Sequence, residues 1–178
     1  MWRVDQKKRR RIEIAAYHEA GHAVMAVLTR TPLRDTTIVA SRLGASSGAT
    51  RLERSHVSER IAAKAKLAAA GHRHILRRAC FDIAGEIAQR RFAPGSWRTL
   101  HSHSDLTNVS RLLDTLGLSE KRLNALVKAI VIWADSVIQA NWSRVEAVAS
   151  ELLKRGTLTG AQVRQIVARI RIGAEGGT

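Results

Sequence analysis

The sequence predicts a mainly helical, single-domain protein with a small two- or three-stranded β ribbon following its first helix. Only 12 Gly and 2 Pro occur in 178 residues, apolar residues recur at three- and four-residue intervals along most of the chain, and β-branched clusters are confined to one short region. The length suits one domain with a sizeable core, here residues 1–178 without internal repeat or linker. With 45% hydrophobic and 25% charged residues, the chain can bury enough apolar surface to fold, which excludes disordered, collagen-like and low-complexity classes.

The elements follow in order. A first helix is expected over residues 11–29, with Ile12, Ala15, Ala16, Ala23, Val24 and Val27 on its buried side and Pro32 ending it. The basic lead, residues 1–10, is expected to be flexible. Thr36-Thr37-Ile38-Val39-Ala40 has the β-branched content of a strand, and Ala49-Thr50-Arg51-Leu52 reads as its partner across the Gly- and Ser-rich residues 43–48. Helices are expected over 58–70 and 72–91, separated by Gly71, and Phe92-Ala93-Pro94-Gly95 closes the second. Residues 96–103 read as loop. Ser102 or Ser104 caps a helix over 105–116 ending at Gly117, and Ser119 caps the next. The pattern over 123–153 is long for one helix and should break or bend near Asn141. Thr157-Leu158-Thr159 leads into a last helix, 160–171, and residues 173–178 should fray.

Lys and Arg number 30 against 15 Asp and Glu, a net charge of +15 with a pI near 11.5. This favours anionic partners without naming one. Nucleic acid is disfavoured: aromatics make up 4%, Trp2, Trp97, Trp133 and Trp142 are scattered as packing residues, and no recognition helix or zinc finger is present. The run Lys7-Lys8-Arg9-Arg10-Arg11 reads as solvated. The single cysteine, Cys80, reads as an inert buried thiol; it excludes an internal disulfide and favours a reducing compartment, the cytoplasm. No uninterrupted apolar run approaches the roughly 18–20 residues of a membrane span, so no transmembrane segment is expected.

Chemistry concentrates in His18-Glu19-Ala20-Gly21-His22, an H-E-x-x-H motif inside the first helix. Histidines at i and i+4 share one helical face and can both bind one Zn²⁺ at about 2.0–2.1 Å. Glu19, beside the first ligand, is placed to take a proton from water activated by that metal. A catalytic zinc normally needs a third protein ligand. The candidates are His72, His74, Asp82, Glu86, His101, His103 and Asp105, and spacing alone does not choose among them. Glu86 reads equally well as a partly buried helix carboxylate. His72 and His74, at i and i+2, do not face one point, and Asp105 could simply complement a helix dipole.

Ala16-Tyr17-His18-Glu19-Ala20-Gly21-His22-Ala23 resembles the start of the peptidase domain of the FtsH-type zinc proteases. Residues 36–40 resemble that family's strand after the zinc helix, Ile83-Ala84-Gly85-Glu86-Ile87-Ala88 its Gly-containing helix, and Ser104-Asp105-Leu106 its Ser-Asn-Asp-Ile segment. Glu151-Leu152-Leu153 and Thr157-Leu158-Thr159-Gly160 resemble its closing helix and turn. The resemblance implies one zinc per chain held by His18, His22 and Asp105, with Glu19 as general base. It also implies a substrate-pairing strand at Ala49, Thr50, Arg51 and Leu52.

This chain departs from the family in several respects. Glu86 stands where the family commonly has arginine. No G-x-x-x-x-G-K-[ST] occurs, and only 17 residues precede His18, so no ATPase module is expected. The expected function is hydrolysis of unfolded or flexible polypeptides by a zinc metalloendopeptidase lacking its own motor. Its partners would be the polypeptide substrate and a homo-oligomer or separate ATPase. The alternatives are a non-catalytic zinc-binding interaction module or partner of an ATPase and, less favoured, a basic nucleic-acid-binding protein.

Overall fold

The computed structural model describes the backbone of residues 2–39, 48–53, 69–96 and 102–170, and side chains for 6–39, 48–53, 72–96 and 107–170. Its elements in chain order are α1 (Trp2–Leu28), β1 (Leu33–Thr37), β2 (Ala49–Leu52), α2 (Ala69–Phe92), α3 (Ser102–Asp114), α4 (Glu120–Ala140), α5 (Trp142–Arg155), β3 (Thr157–Thr159) and α6 (Gly160–Arg169). The described residues are mainly helical with a three-stranded antiparallel sheet. The expected helix over 58–68, the loop residues 43–47, Trp97, His101 and the tail 173–178 lie outside the described residues.

The central helix is α1. Residues 14–26 are buried except Tyr17, because α2, α5, α6 and β1 pack around it. A helix covered on all sides needs apolar or small residues all round, and Ala15, Ala16, Ala20, Ala23, Val24 and Met25 supply them. Ile12, expected on the buried side, is 40% exposed, since it lies two residues before the buried stretch begins. Residues 2–10 continue the same helix. Lys and Arg are good helix formers, nothing interrupts the run, and Glu13 ties it down through Arg9 at 3.9 Å and Arg10 at 3.3 Å. Gly21 allows α2 its close approach. A Cβ there would lie 2.5 Å from the Ala84 carbonyl oxygen and 2.6 Å from Ala88 Cβ.

The sheet order is β2-β1-β3. Thr36 pairs with Thr50 on one side and with Leu158 on the other, both antiparallel. β1 begins three residues earlier than the β-branched cluster suggests, because Pro32 delivers the chain directly into an extended segment. The third strand comes from Thr157–Thr159, expected only as a lead into the last helix. Its three residues are too few to display a period, yet Leu158 is buried and its neighbours exposed.

α3 begins at Ser102, inside the expected loop 96–103, and Ser119 precedes α4 without a side-chain capping hydrogen bond. Gly71 does not separate two helices but lies inside α2, where a helical Gly costs only about 1 kcal/mol relative to Ala. The expected break is at Asn141, between α4 and α5, where the Asn141 side chain donates to the Val137 carbonyl at 2.8 Å. Thr159 and Gln162 form a reciprocal capping box at the start of α6.

Tyr17 stacks on Phe92 with ring centroids 3.7 Å apart and on Trp142 at 5.6 Å. This fastens α1 to the end of α2 and the start of α5 immediately beside His18. Trp133, expected to pack, is instead 48% exposed, and Ile132 beside it 67%. α4 is the one long, apolar helix of this kind among the described residues. It is 21 residues long, and its most apolar 18-residue window has a mean hydropathy of 1.4 with 17% of that window buried. Lys128 and Asp135 interrupt it, and each costs about 2.5–3.5 kcal/mol at a bilayer centre; such a helix suits a surface position.

Candidate metal and catalytic site

His18, Glu19 and His22 lie on the buried middle of α1, each no more than 6% exposed. The 3.6-residue repeat puts both imidazoles on the same face, but the repeat does not orient the rings. α2 does that. The His22 Nδ1–H donates to the Phe81 carbonyl oxygen at 2.7 Å, and the His18 Nδ1–H donates to Gln89 Oε1 at 3.0 Å.

The proton positions follow from what the partners are able to accept. A backbone carbonyl only accepts, so His22 carries its proton on Nδ1. Ser96 Oγ donates to the Ala93 carbonyl at 2.7 Å. Gln89 Nε2 therefore donates to the Ser96 carbonyl at 3.2 Å and to Ser96 Oγ at 3.3 Å. That fixes the Gln89 amide with its oxygen toward His18, which must then carry its proton on Nδ1 as well. Both rings consequently turn Nε2 inward, and the two Nε2 atoms are 3.0 Å apart.

This donor pair fits a divalent metal. Two imidazole nitrogens, each with its other nitrogen anchored to a protein acceptor, are the usual form of histidine ligation, and 3.0 Å is within the span of two Zn–N bonds of about 2.0–2.1 Å. Gly85 makes room for the pair. A Cβ there would lie 2.8 Å from His18 Nε2, 2.6 Å from His22 Cδ2, and closer still to His22 Nε2.

Glu19 is held from the sheet. Thr50 Oγ1 donates to Glu19 Oε2 at 2.7 Å, and Thr50 and Thr36 hydroxyls lie 2.7 Å apart. With the Thr50 proton given to the carboxylate, Thr36 is the donor in that second contact. Gly48 borders the other oxygen, for a Cβ there would lie 2.8 Å from Glu19 Oε1. Thus Thr50, one of the four residues expected to meet substrate, also positions the expected base. Ala49, Thr50, Arg51 and Leu52 form β2 at one edge of the sheet, and Arg51 pairs with Asp35 on β1 at 2.7 Å.

The expected third ligands are distributed differently. Asp82 and Glu86 are buried in α2 but engage Arg78 and Arg90, and His72 and His74 are exposed near the start of that helix. Among the described residues no group of three His, Cys, Asp or Glu comes together. Asp105 lies on α3, which packs against α2; its side chain, like that of His103, is outside the described residues.

The residues that sequence reading missed as site components are Gln89, Ser96, Gly85 and the Phe81 carbonyl. Phe81, Gly85 and Gln89 are spaced i, i+4, i+8, so they form one stripe along α2. A glycine in an Ile- and Ala-rich helix, followed four residues later by a glutamine, was the available signal.

Two carboxyls and two further groups have altered acidity. Burial raises the Asp35 pKa, but hydrogen bonds from Arg51 and Arg34 outweigh it, so the net shift is downward. Hydrogen bonding by Lys154 lowers that of Glu151, assisted by Arg155. Burial raises Tyr17, reinforced by Glu146 and Glu13, and burial pushes the Cys80 thiol up to about 11. No family model matches this chain, and no curated protein matches it.

Proposed function

We propose that this protein is a zinc-dependent metallopeptidase of the FtsH peptidase type, acting on unfolded or flexible polypeptides. The observation that carries the reading is the pair of inward-facing Nε2 atoms of His18 and His22, both fixed by α2, with the buried carboxylate of Glu19 on the same helix. His18 and His22 would hold the metal, with Asp105 from α3 as third ligand. Bound there, zinc supplies Lewis-acid polarisation of the scissile carbonyl and a lowered pKa for the attacking water.

The remaining work belongs to the chain. Glu19 accepts the proton of the attacking water and returns it to the amide nitrogen as the peptide bond breaks. Thr50 holds Oε2, so that Oε1 beside Gly48 is the oxygen placed to carry that proton. The outer edge of β2 offers backbone N–H and C=O groups to an extended substrate, which favours chains without fixed structure. The surrounding buried apolar residues exclude competing water from the base.

The test joins metal content to turnover of a fluorescently labelled unfolded polypeptide. Wild type should hold about one zinc per chain and cleave. Asp105→Ala should lose zinc, whereas Glu19→Gln should keep zinc and lose cleavage by at least about 10²-fold, the scale of general-base catalysis. Zinc binding with no turnover in wild type replaces the peptidase reading with a zinc-binding interaction module. No zinc uptake at all removes both.

A further inference from the structure

An irregularity in the sheet gathers charge beside β2. Strict alternation along β1 would put Arg34 and Asp35 on opposite faces. The β1–β2 register instead slips between Leu33 and Asp35, so Arg34 has no partner on β2, as in a β-bulge. Leu33 and Thr36 are consequently both buried, while Arg34 and Asp35 share the outer face. Asp35 lies opposite Arg51. Its two carboxylate oxygens are taken one by each guanidinium, Oδ2 by Arg34 Nε at 2.8 Å and Oδ1 by Arg51 Nε at 2.7 Å.

Two cations thus share one anion, a surplus of +1 on an exposed strand pair. Both guanidiniums reach Asp35 through Nε, and neither has another acidic partner among the described residues, which leaves their terminal nitrogens for a further acceptor. Glu53, two residues beyond Arg51, does not cancel the surplus, because it lines a separate recess with His74, Arg77 and Arg78. Thr50 points the other way, to Glu19. An extended chain added along β2 puts its side chains on alternate faces, with directly opposite Cβ atoms about 4.5–5.5 Å apart. The side chain opposite Thr50 then faces the Glu19 side, and its neighbour in the added chain meets Arg51. An acidic neighbour balances the surplus there, whereas a basic one meets like charge.

We propose that the β2 edge selects extended polypeptide segments with an acidic side chain opposite Arg51, next in the bound chain to the residue facing Glu19, and that Arg51 is the specificity-determining residue. The proposal deepens the peptidase reading and rests on it for β2 as the substrate strand. Asp35 orients Arg51 before any peptide arrives, which lowers the entropy lost in forming the contact, and Arg34 supplies the second cation that keeps the group positive. The net charge of +15 draws acidic chains to the whole surface; the group on Asp35 reads where along the chain the acid lies.

The experiment measures binding and cleavage separately. Three end-blocked unstructured decapeptides, identical except for Glu, Gln or Lys at alternate positions and carrying a neutral dye, are titrated with the full chain by fluorescence anisotropy at about 0.15 M salt, where distant charges are screened. The Glu peptide should bind wild type about fivefold more tightly than the Gln peptide, the upper scale of one exposed charge pair, with the Lys peptide weakest. Arg51→Gln should reduce the Glu-to-Gln ratio to less than about twofold, and Arg34→Gln should lower it part of the way. Lys128→Glu, which alters net charge at an exposed position on α4, should leave the ratio unchanged. Circular dichroism establishes that each variant is folded; if Arg51→Gln is not, Arg34→Gln decides. Equal affinity for the three peptides, no binding of any, a ratio unchanged in Arg51→Gln, or a ratio lost equally in Lys128→Glu overturns the proposal. Where wild type cleaves, kcat/KM should follow the same order. Selective binding without cleavage upholds Arg51 and overturns the peptidase reading, whereas cleavage indifferent to charge upholds that reading and overturns the role of Arg51.

Discussion

Replacing Gly85 by alanine should separate metal binding from folding. In an open helix the change gains about 1 kcal/mol of helix propensity. Here the added Cβ lies 2.8 Å from His18 Nε2 and 2.6 Å from His22 Cδ2, well inside the roughly 3.5–4.0 Å at which carbon contacts are favourable. The rings cannot turn aside freely, since each would give up its Nδ1 hydrogen bond, at 2.7 or 3.0 Å. Overpacking of this kind costs about 1–3 kcal/mol; less the propensity gain of about 1, the net is about 0–2 kcal/mol. A domain stable by about 5–15 kcal/mol survives that, with Tm lowered by no more than about 8 °C at the roughly 2–4 °C per kcal/mol expected for this size.

The proposed zinc site should not survive, because relief of the clash moves both Nε2 atoms. Elemental analysis and thermal unfolding of three variants test the reasoning. Gly85→Ala loses zinc with modest destabilisation. Gly21→Ala, which meets α2 backbone at 2.5 Å, loses more stability, and Gly95→Ala, with nothing within 4 Å, changes neither. Wild-type zinc affinity in Gly85→Ala, or equal destabilisation of Gly85→Ala and Gly21→Ala, would refute the argument.

Three further outcomes are expected. Gln89→Leu removes the acceptor for His18 Nδ1–H and should weaken zinc binding about 10–100-fold in a competition titration with a chelator; an unchanged affinity would show that the ring needs no such anchor. Asp35 has a lowered folded pKa, so in the window below the ordinary carboxylate value of about 3.9 the unfolded state binds more protons. Its stabilisation is present above that value and lost as pH falls through the lowered folded value, and the Tm gap between wild type and Asp35→Asn should close over that fall; a constant gap from pH 5 to pH 2 contradicts it. Cys80, raised to about 11 by burial, should be alkylated by iodoacetamide at a rate that keeps climbing past pH 9 in folded protein, whereas levelling near the ordinary thiol value of about 8.5 would place the sulfur in water.

What was legible in the sequence was local. The H-E-x-x-H spacing, the stop before Pro32, the break at Asn141 and the start of the last helix after Thr159 each depend on residues within a turn or two, and each is found in place. What was not legible depends on distant partners. β3 is a strand only because Thr36 lies opposite Leu158, more than a hundred residues away. Likewise, Thr50 reads as a strand residue until the fold sets its hydroxyl against Glu19. Trp133 was misread because aromatic content predicts burial on average, while α4 buries only Ile130, Ala134 and Ile138.

The same division applies within the site. α1 supplies the two nitrogens, but a histidine pair at i and i+4 on an isolated helix leaves both rings free to rotate, and such a pair binds metal only after paying to order them. α2 removes that freedom through two contacts four residues to either side of Gly85. Ser96 then fixes which end of Gln89 faces His18, so this serine sets the His18 tautomer through Gln89. The motif supplies the nitrogens of the proposed site, and the Phe81–Gly85–Gln89 stripe turns their Nε2 atoms toward one another. A chain that kept His18-Glu19-Ala20-Gly21-His22 but lost this stripe should retain its helix and lose its metal.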